Sequence, residues 1–331
     1  MNKVCIIIPY FGKFPNYFDF WLKSAYYNDK FDFLIFTDNK SYHTQNNVKF
    51  IHMNFEAFKK LLQKQVEFPI CLNEPYKLCD YRPVYGSALQ KYISKYEFWG
   101  FGDVDLILGD LSKFITPEIL MNYDKIYNLG HLTLLRNNKI CNYLWKSKHH
   151  IKNAYRYDEA FKTPYTCHFD ENDGLTKISE KLNIKSYIRT DFADIDRTRF
   201  NFRLLGIQDK LVPGIFIWNK GRLIYKFIDN NKVQIKEIGY AHFQKRKIEV
   251  EENNANLNYI SSFAIIPNEI LCNSNNNYEK YLKTQKIISK YEYYTVSRRN
   301  EIINNIKKHA LQQRIYRKFF RNMNRYFLDK K

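Results

Sequence analysis

Over the first hundred residues the apolar positions fall into short continuous runs rather than long periodic ones. "KVCIIIPYF", residues 3–11, is apolar at nearly every position and ends at Pro9, as expected for a strand buried on both faces that opens into a loop. "FPNYFDFWLKSAYYND" has the spacing of an amphipathic helix, "FDFLIFTDN" reads as a second strand and "VKFIHM" as a third. "NFEAFKKLLQKQV" predicts a helix capped by Asn54. "PVYGSALQKYISKY" predicts another that leads into "EFWGFGDVD" as a further strand. Strands alternating with helices predict a parallel half-sheet with helices on both faces, and ligands of such sheets bind outside the carboxyl ends of the strands.

Beyond this half the alternation weakens. "KIYNLGHLTLLRN", "GIFIWNKGRLIYKFI" and "KVQIKEIGYAHFQ" read as strands, with "NKG" as a tight turn, and "DENDGLTKISEKLN" reads as a helix. Residues 250–280 are rich in Asn and read as a loop. Near the end Leu311, Ile315, Phe319, Met323 and Phe327 recur every fourth residue among Arg and Lys, the pattern of an amphipathic helix. The expected fold class is α/β, with a mixed, mainly parallel central sheet flanked by helices and a C-terminal helical extension. The expected division is a catalytic-size domain over 1–250 and an extension over 251–331.

A chain of 331 residues with 45% hydrophobic and 17% aromatic residues is a folded protein and not a disordered one. Its formal net charge is +19, and residues 297–331 hold eleven Lys or Arg against two acids, so about +9 of the excess lies there. Either this charge only keeps a Lys-rich protein soluble, or it meets polyanions. Because the excess sits among Phe, Leu and Ile at helical spacing, an anionic membrane surface is the expected partner, and no nucleic acid is expected. The six cysteines form no CxxC pair, which argues against a zinc cluster or a disulfide framework. No window reaches 18 apolar residues, so the expected location is cytoplasmic, with peripheral contact to the inner face of the plasma membrane through 297–331.

"YEFWGFGDVDLILGDLSKF", residues 96–114, places Asp103 and Asp105 where an apolar strand ends. Two carboxylates one residue apart can both reach one divalent cation there, because the chain turns and stops alternating. Oxygen ligands suit Mg²⁺ or Mn²⁺, which fill the rest of their shell with water and substrate phosphate. A bare DxD also serves as a turn or cap, but its position after a nucleotide-binding type of half-sheet favours the metal.

Together "IIIPYFGKFPNYFDFWLKS", "FLIFTDN", "PYKLCDYRPVYG", "FWGFGDVDLILGDL", "LGHLTLLRN" and "YAHFQKRK" resemble the blocks of a group of bacterial polysaccharide-locus proteins that is similar to DxD-containing glycosyltransferases of the GT-A fold. The resemblance covers about residues 3–247. It implies a hexosyltransferase that uses a nucleotide sugar, with residues 1–110 as the nucleotide-sugar half and 111–250 as the acceptor half. It makes Asp103 and Asp105 the motif that holds Mn²⁺ or Mg²⁺ and the donor diphosphate of a UDP-sugar. Pro9, Tyr10, Phe11 and Asp38 would line the nucleoside pocket, and Lys77, Asp80 and Arg82 would face the donor. His242 would complete the metal shell, with Lys245 and Arg246 meeting the diphosphate, while His131 would face a glycan or lipid-linked glycan acceptor.

An inverting transfer also needs a base for the acceptor hydroxyl. Asp170 and Glu171 in "CHFDENDG" are candidates, and they fit equally well an N-cap with an acidic first turn. Two other classes stay open on the residues alone. DxD phosphohydrolases use the first acid as nucleophile, but no later paired-acid motif follows here, and a basic, Tyr-rich nucleic-acid-binding surface is the other.

Overall fold

The computed structural model describes residues 3–196, 202, 204, 214–230, 232–250, 260–272 and 281–282. Its first hundred residues supply four strands, β1 (Val4–Pro9), β2 (Phe31–Thr37), β3 (Val48–His52) and β4 (Phe98–Gly102). They lie parallel in the order β3-β2-β1-β4. β5 (Leu106–Leu108) follows after the turn that carries both aspartates and leaves this sheet. The antiparallel hairpin β6 (Lys125–Leu129) and β7 (Leu132–Arg136) continues the sheet through β7 against β4. β8 (Ser186–Tyr187) closes the edge parallel to β6. The result is a seven-stranded, mixed, mainly parallel sheet.

Alternate residues of the apolar runs feed opposite faces, which is why both faces can be buried. Cys5, Ile7, Leu34 and Phe36 enter one core, and Val4, Ile6, Ile8, Phe33 and Ile35 enter the other. Helix α1 (Phe18–Tyr26) covers the second face with Phe18 and Trp21. Helix α2 (Phe55–Gln63) covers the first with Phe58 and Leu62, and Asn54 caps it by accepting from the Ala57 N–H at 2.8 Å.

Lys125 of β6 is the exception in this interior. It is 0% exposed, its Nζ has no hydrogen-bond partner, and burial lowers its pKa from 10.5 to about 8 although Glu180 pulls the other way. Below pH 8 the folded chain must keep a buried ammonium. Between pH 8 and 10.5 the unfolded chain binds the extra proton, so stability rises with pH through that window. Lys125→Met is therefore expected to stabilise the protein at pH 7 by about 3 kcal/mol and to remove the rise, read by urea unfolding across pH. A variant no more stable than the parent, with the rise intact, would contradict it.

Two smaller sheets complete the fold. β9 (Ala193–Asp194) and β13 (Tyr240–His242) flank each other beside β5 in the order β5-β13-β9. The strands β10 (Gly214–Asn219), β11 (Arg222–Asp229), β12 (Lys232–Ile238), β14 (Glu249–Val250), β15 (Ser262–Ile266) and β16 (Glu269–Leu271) form a six-stranded sheet. Phe20 of α1 joins its core beside Trp218 and Phe263, so α1 is shared between the two large sheets. The "NKG" turn joins β10 to β11 with Lys220 at φ 46° and Gly221 at φ 86°, the left-handed pair that tight hairpins need.

Several elements depart from the sequence reading. "KIYNLGHLTLLRN" is a hairpin and not one strand, because the chain reverses at Gly130 and His131 while both arms stay apolar. "KVQIKEIGYAHFQ" breaks at Gly239, and its halves join different sheets. The helix predicted from "PVYGSALQKYISKY" is two single turns, Tyr85–Ala88 and Gln90–Ile93, interrupted at the fully buried Leu89. Within 250–280, β15 and β16 pair as strands, with Ala264, Ile265 and Ile270 buried. The amphipathic pattern over 297–331 lies outside the described residues. Among the described residues no helix is long and apolar enough to cross a membrane.

Candidate functional site

β1 leads to β2 and β3 on one side and neighbours β4 on the other, so strand order reverses between β1 and β4. A crevice opens at the carboxyl ends of such a pair. A cavity of about 520 Å³ lies there, lined among others by Pro9, Tyr10, Phe11, Asp103, Asp105 and His131, a size that suits a small-molecule ligand.

Sheet register builds the centre of this site. In the three-stranded sheet His242 is opposite Leu106 on one side and Asp194 on the other, which sets its ring between Asp105 and Asp194. His242 Nε2 is 3.6 Å from Asp105 Oδ1 and 4.0 Å from Asp103 Oδ2, and Nδ1 is 2.8 Å from Asp194 Oδ1. One ligand atom from each of Asp103, Asp105 and His242 falls within 4.8 Å of the others. Gln244 also donates to Asp194 Oδ1, at 2.8 Å, and the Lys245 N–H donates to Asp105 Oδ2 at 2.7 Å. Gln244 and Lys245 both adopt left-handed φ, of 50° and 60°, and this local strain is what aims the amide at Asp105.

The charges are interlocked. Burial works against a charged His242, yet the nearby Asp105 carboxylate and the hydrogen bond to Asp194 outweigh it and raise its pKa to about 10. Burial raises the Asp105 carboxyl, but His242 and the Lys245 amide prevail and hold it below its ordinary value. Burial leaves Asp103 raised in spite of Arg82. A cation placed among these three side chains would meet two carboxylates and an imidazole, a donor set that fits Mn²⁺ or Mg²⁺.

Arg82 is a second hub. Its Nη2 donates to Asp103, and its Nη1 donates to Asp170 Oδ2 at 2.7 Å and to the Gly130 carbonyl at 2.9 Å. The Gly130 N–H in turn donates to Glu171 Oε1 at 2.8 Å. Asp170 is buried, which drives its carboxyl well above the usual range although Arg82 opposes this, and its Oδ1 has no partner. Neither acid is a helix cap. The helix expected to start near them begins only at Leu175, with Gly174 as its N-cap and no acid in its first turn.

Gly130 is needed for this close approach. A Cβ there would lie 2.5 Å from Arg82 Nη1, 2.6 Å from Asp170 Oδ2 and 2.8 Å from Glu171 Oε1. Gly130→Ala is expected to push Arg82 off both carboxylates and to lower stability by about 1–3 kcal/mol, together with a loss of activity. Urea unfolding reads the first effect, and an unchanged midpoint would contradict it.

Lys77 and Asp80, expected to face a donor, do not line the cavity. Both are fully buried and paired with each other. Lys77 also donates to the Ala160 and Tyr165 carbonyls, and Asp80 accepts from the Cys167 and Phe169 N–H groups. They tie down the loop that delivers Asp170. Asp38 likewise holds a loop and does not line the cavity, for its Oδ1 accepts from the Gly12 N–H at 2.8 Å, with Gly12 at φ 97°. Arg246 does not line it either, and its Nε donates to Asn268 Oδ1 at 2.6 Å, whereas Pro9, Tyr10, Phe11, Arg82, Asp103, Asp105, His131, Asp170, Glu171, His242 and Lys245 all do.

Asp194, Gln244 and Gly130 belong to the site and were not singled out from the sequence. A second cavity of about 640 Å³ shares Tyr10, Asp103, Asp105 and Lys245 with the first and extends to Lys247 and Glu249. The aspartate turn thus lines both cavities. All six cysteines are free thiols.

Residues 6–274 match the model of a family described as "Family of unknown function (DUF6625)". No curated protein matches the sequence. Among solved structures, the chain is similar to the galactosyltransferase LgtC in complex with donor and acceptor sugar analogs, at 12% identity and a TM-score of 0.38 over 73% of this chain and 88% of that one. An active-site mutant of LgtC gives 14% identity and a TM-score of 0.37 over 72% and 87%. Similarity of this extent fixes neither activity nor substrate.

Proposed function

Since the chain belongs to the family of unknown function DUF6625, we propose from its site that it is a metal-dependent glycosyltransferase with a GT-A-like arrangement, moving a hexose from a UDP-sugar to a surface-glycan acceptor. The observation that carries this is the convergence of Asp103, Asp105 and His242 at the carboxyl end of β4, inside a cavity at the strand-order reversal. The UDP moiety and the capsule or lipopolysaccharide acceptor rest on the sequence resemblance alone.

A divalent cation bound by Asp103, Asp105 and His242 would offset the charge of a donor diphosphate and of the leaving group. Tyr10, Phe11 and Tyr76 offer flat apolar contacts for the nucleoside, and the Lys245 ammonium sits 3.6 Å from the centre of the Tyr76 ring. Lys245, which lines the cavity, would supply a cation for phosphate oxygens. Of the two carboxylates beside Gly130, Asp170 is buried against Arg82, whereas Glu171 is partly exposed. The proton of the acceptor hydroxyl therefore goes to Glu171 in this reading, and Asp170 positions Arg82.

The test is release of nucleotide diphosphate from a panel of nucleotide sugars with Mn²⁺ or Mg²⁺. One donor is expected to stand out. Glu171→Gln is expected to lower its turnover by on the order of 10²-fold or more while donor binding persists in calorimetry. Equal turnover in the variant would remove Glu171 from the role, and no turnover of any donor would count against the transferase. Membrane contact through 297–331 belongs to the same proposal, and deletion of those residues without loss of liposome binding would end it.

A further inference from the structure

A second set of potential ligands shares His242 with the first. One ligand atom each of His131, Asp194 and His242 lies within 4.8 Å of the others. The His131 and His242 rings are 4.4 Å apart between centroids. His131 is 4% exposed and lines the main cavity, and its Nε2 is buried without a hydrogen-bond partner. Its other nitrogen, Nδ1, is 2.9 Å from the Tyr240 hydroxyl. With the proton on Nδ1 and its N–H donated to the Tyr240 hydroxyl oxygen, Nε2 presents a lone pair that no group among the described residues uses. That is how a ligating histidine is oriented, with its remote N–H anchored by an oxygen behind it.

A neutral imidazole has one lone pair, so His242 can serve only one cation at a time. With the proton on Nδ1, shared with Asp194 at 2.8 Å, its Nε2 faces Asp103 and Asp105. With the proton on Nε2, on the side of those carboxylates, the lone pair of Nδ1 faces Asp194. Asp194 is an outer hydrogen-bond acceptor in the first tautomer and a direct ligand in the second. Two imidazoles and one carboxylate form a softer donor set than two carboxylates and one imidazole, and it favours Zn²⁺ over Mn²⁺ or Mg²⁺.

We propose that His131, Asp194 and His242 form an alternative Zn²⁺ site that excludes a cation from the Asp103, Asp105 and His242 set, making Zn²⁺ an antagonist of Mn²⁺ in this protein. The proposal rests on the Asp103, Asp105 and His242 cation site of the transferase reading, but its test reads cation binding alone, so a failure of sugar transfer would not by itself overturn it.

The experiment uses the full chain stripped of metal, with Zn²⁺ and Mn²⁺ as probes. Free Mn²⁺ is followed by its electron paramagnetic resonance signal and Zn²⁺ binding by calorimetry. In the wild type one equivalent of Zn²⁺ is expected to release bound Mn²⁺. His131→Gln is expected to weaken Zn²⁺ by more than the ~10–100-fold that follows loss of a mere supporting partner of a ligand, and to leave Mn²⁺ affinity in place. Asp103→Asn is expected to do the reverse, which keeps the test valid if the His131 variant folds poorly. Simultaneous binding of both ions, or equal Zn²⁺ affinity in a folded His131→Gln protein, would overturn the proposal.

Discussion

Asp105→Ala is expected to abolish metal-dependent nucleotide binding and to lower sugar transfer by on the order of 10²–10³-fold, the scale of losing one electrostatic group at a reacting centre. The structure adds a cost that the sequence alone does not suggest. A carboxylate at the lip of a strand reads as solvent-facing, yet Asp105 is only 7% exposed and is fixed by His242 and the Lys245 amide. Its removal leaves that amide unsatisfied, so a stability loss of about 1–3 kcal/mol is expected as well. Asp105→Asn, which keeps an acceptor oxygen for the amide, separates the two effects. It should retain most of the stability and still lose the cation. Retention of Mn²⁺ affinity in both variants would place the cation elsewhere.

Arg82→Ala is expected to have the largest effect on folding, about 3–5 kcal/mol in urea unfolding, because it strands Asp170 in the interior without its countercharge. Arg82 also holds Asp103 and the Gly130 carbonyl, so one guanidinium connects the aspartate turn, the β6–β7 turn and the loop before the helix Leu175–Lys181. Adding Asp170→Asn to Arg82→Ala is expected to restore part of the loss, since the amide removes the unpaired charge. A double variant as unstable as the single one would mean that Arg82 acts through packing on Phe101, 5.7 Å from its ring centre, and not through Asp170.

The parts of the molecule that could be read from the sequence are those fixed locally. Continuous apolar runs announced β1, β2 and β4, and the paired aspartates followed from where the β4 run stopped. His242 and Arg82 entered through the resemblance, and the structure brings both to the aspartates. What escaped notice depends on tertiary register. Asp194 contributes because β9 pairs with β13 one strand beyond β5, and no spacing in "DFADID" reveals that pairing. Gly130 matters because three side chains from distant segments meet over it. Lys77 and Asp80 looked like donor contacts because a charged pair suggests a ligand. Only the fold shows that they spend their charges on each other and on backbone groups of the loop around Cys167. The hairpin at Gly130 was hidden because β6 and β7 are buried on both faces, so the apolar run continues through the turn.

Calorimetric titration of UDP and other nucleoside diphosphates into the full chain, with and without Mn²⁺, on the wild type and on Asp105→Asn, tests the central claim most directly. One diphosphate should bind the wild type with Mn²⁺, lose most of its affinity without it, and lose the metal dependence in the variant. Binding that ignores Mn²⁺ and survives the substitution, or the absence of binding by any diphosphate, would contradict a nucleotide-sugar site built on Asp103, Asp105 and His242.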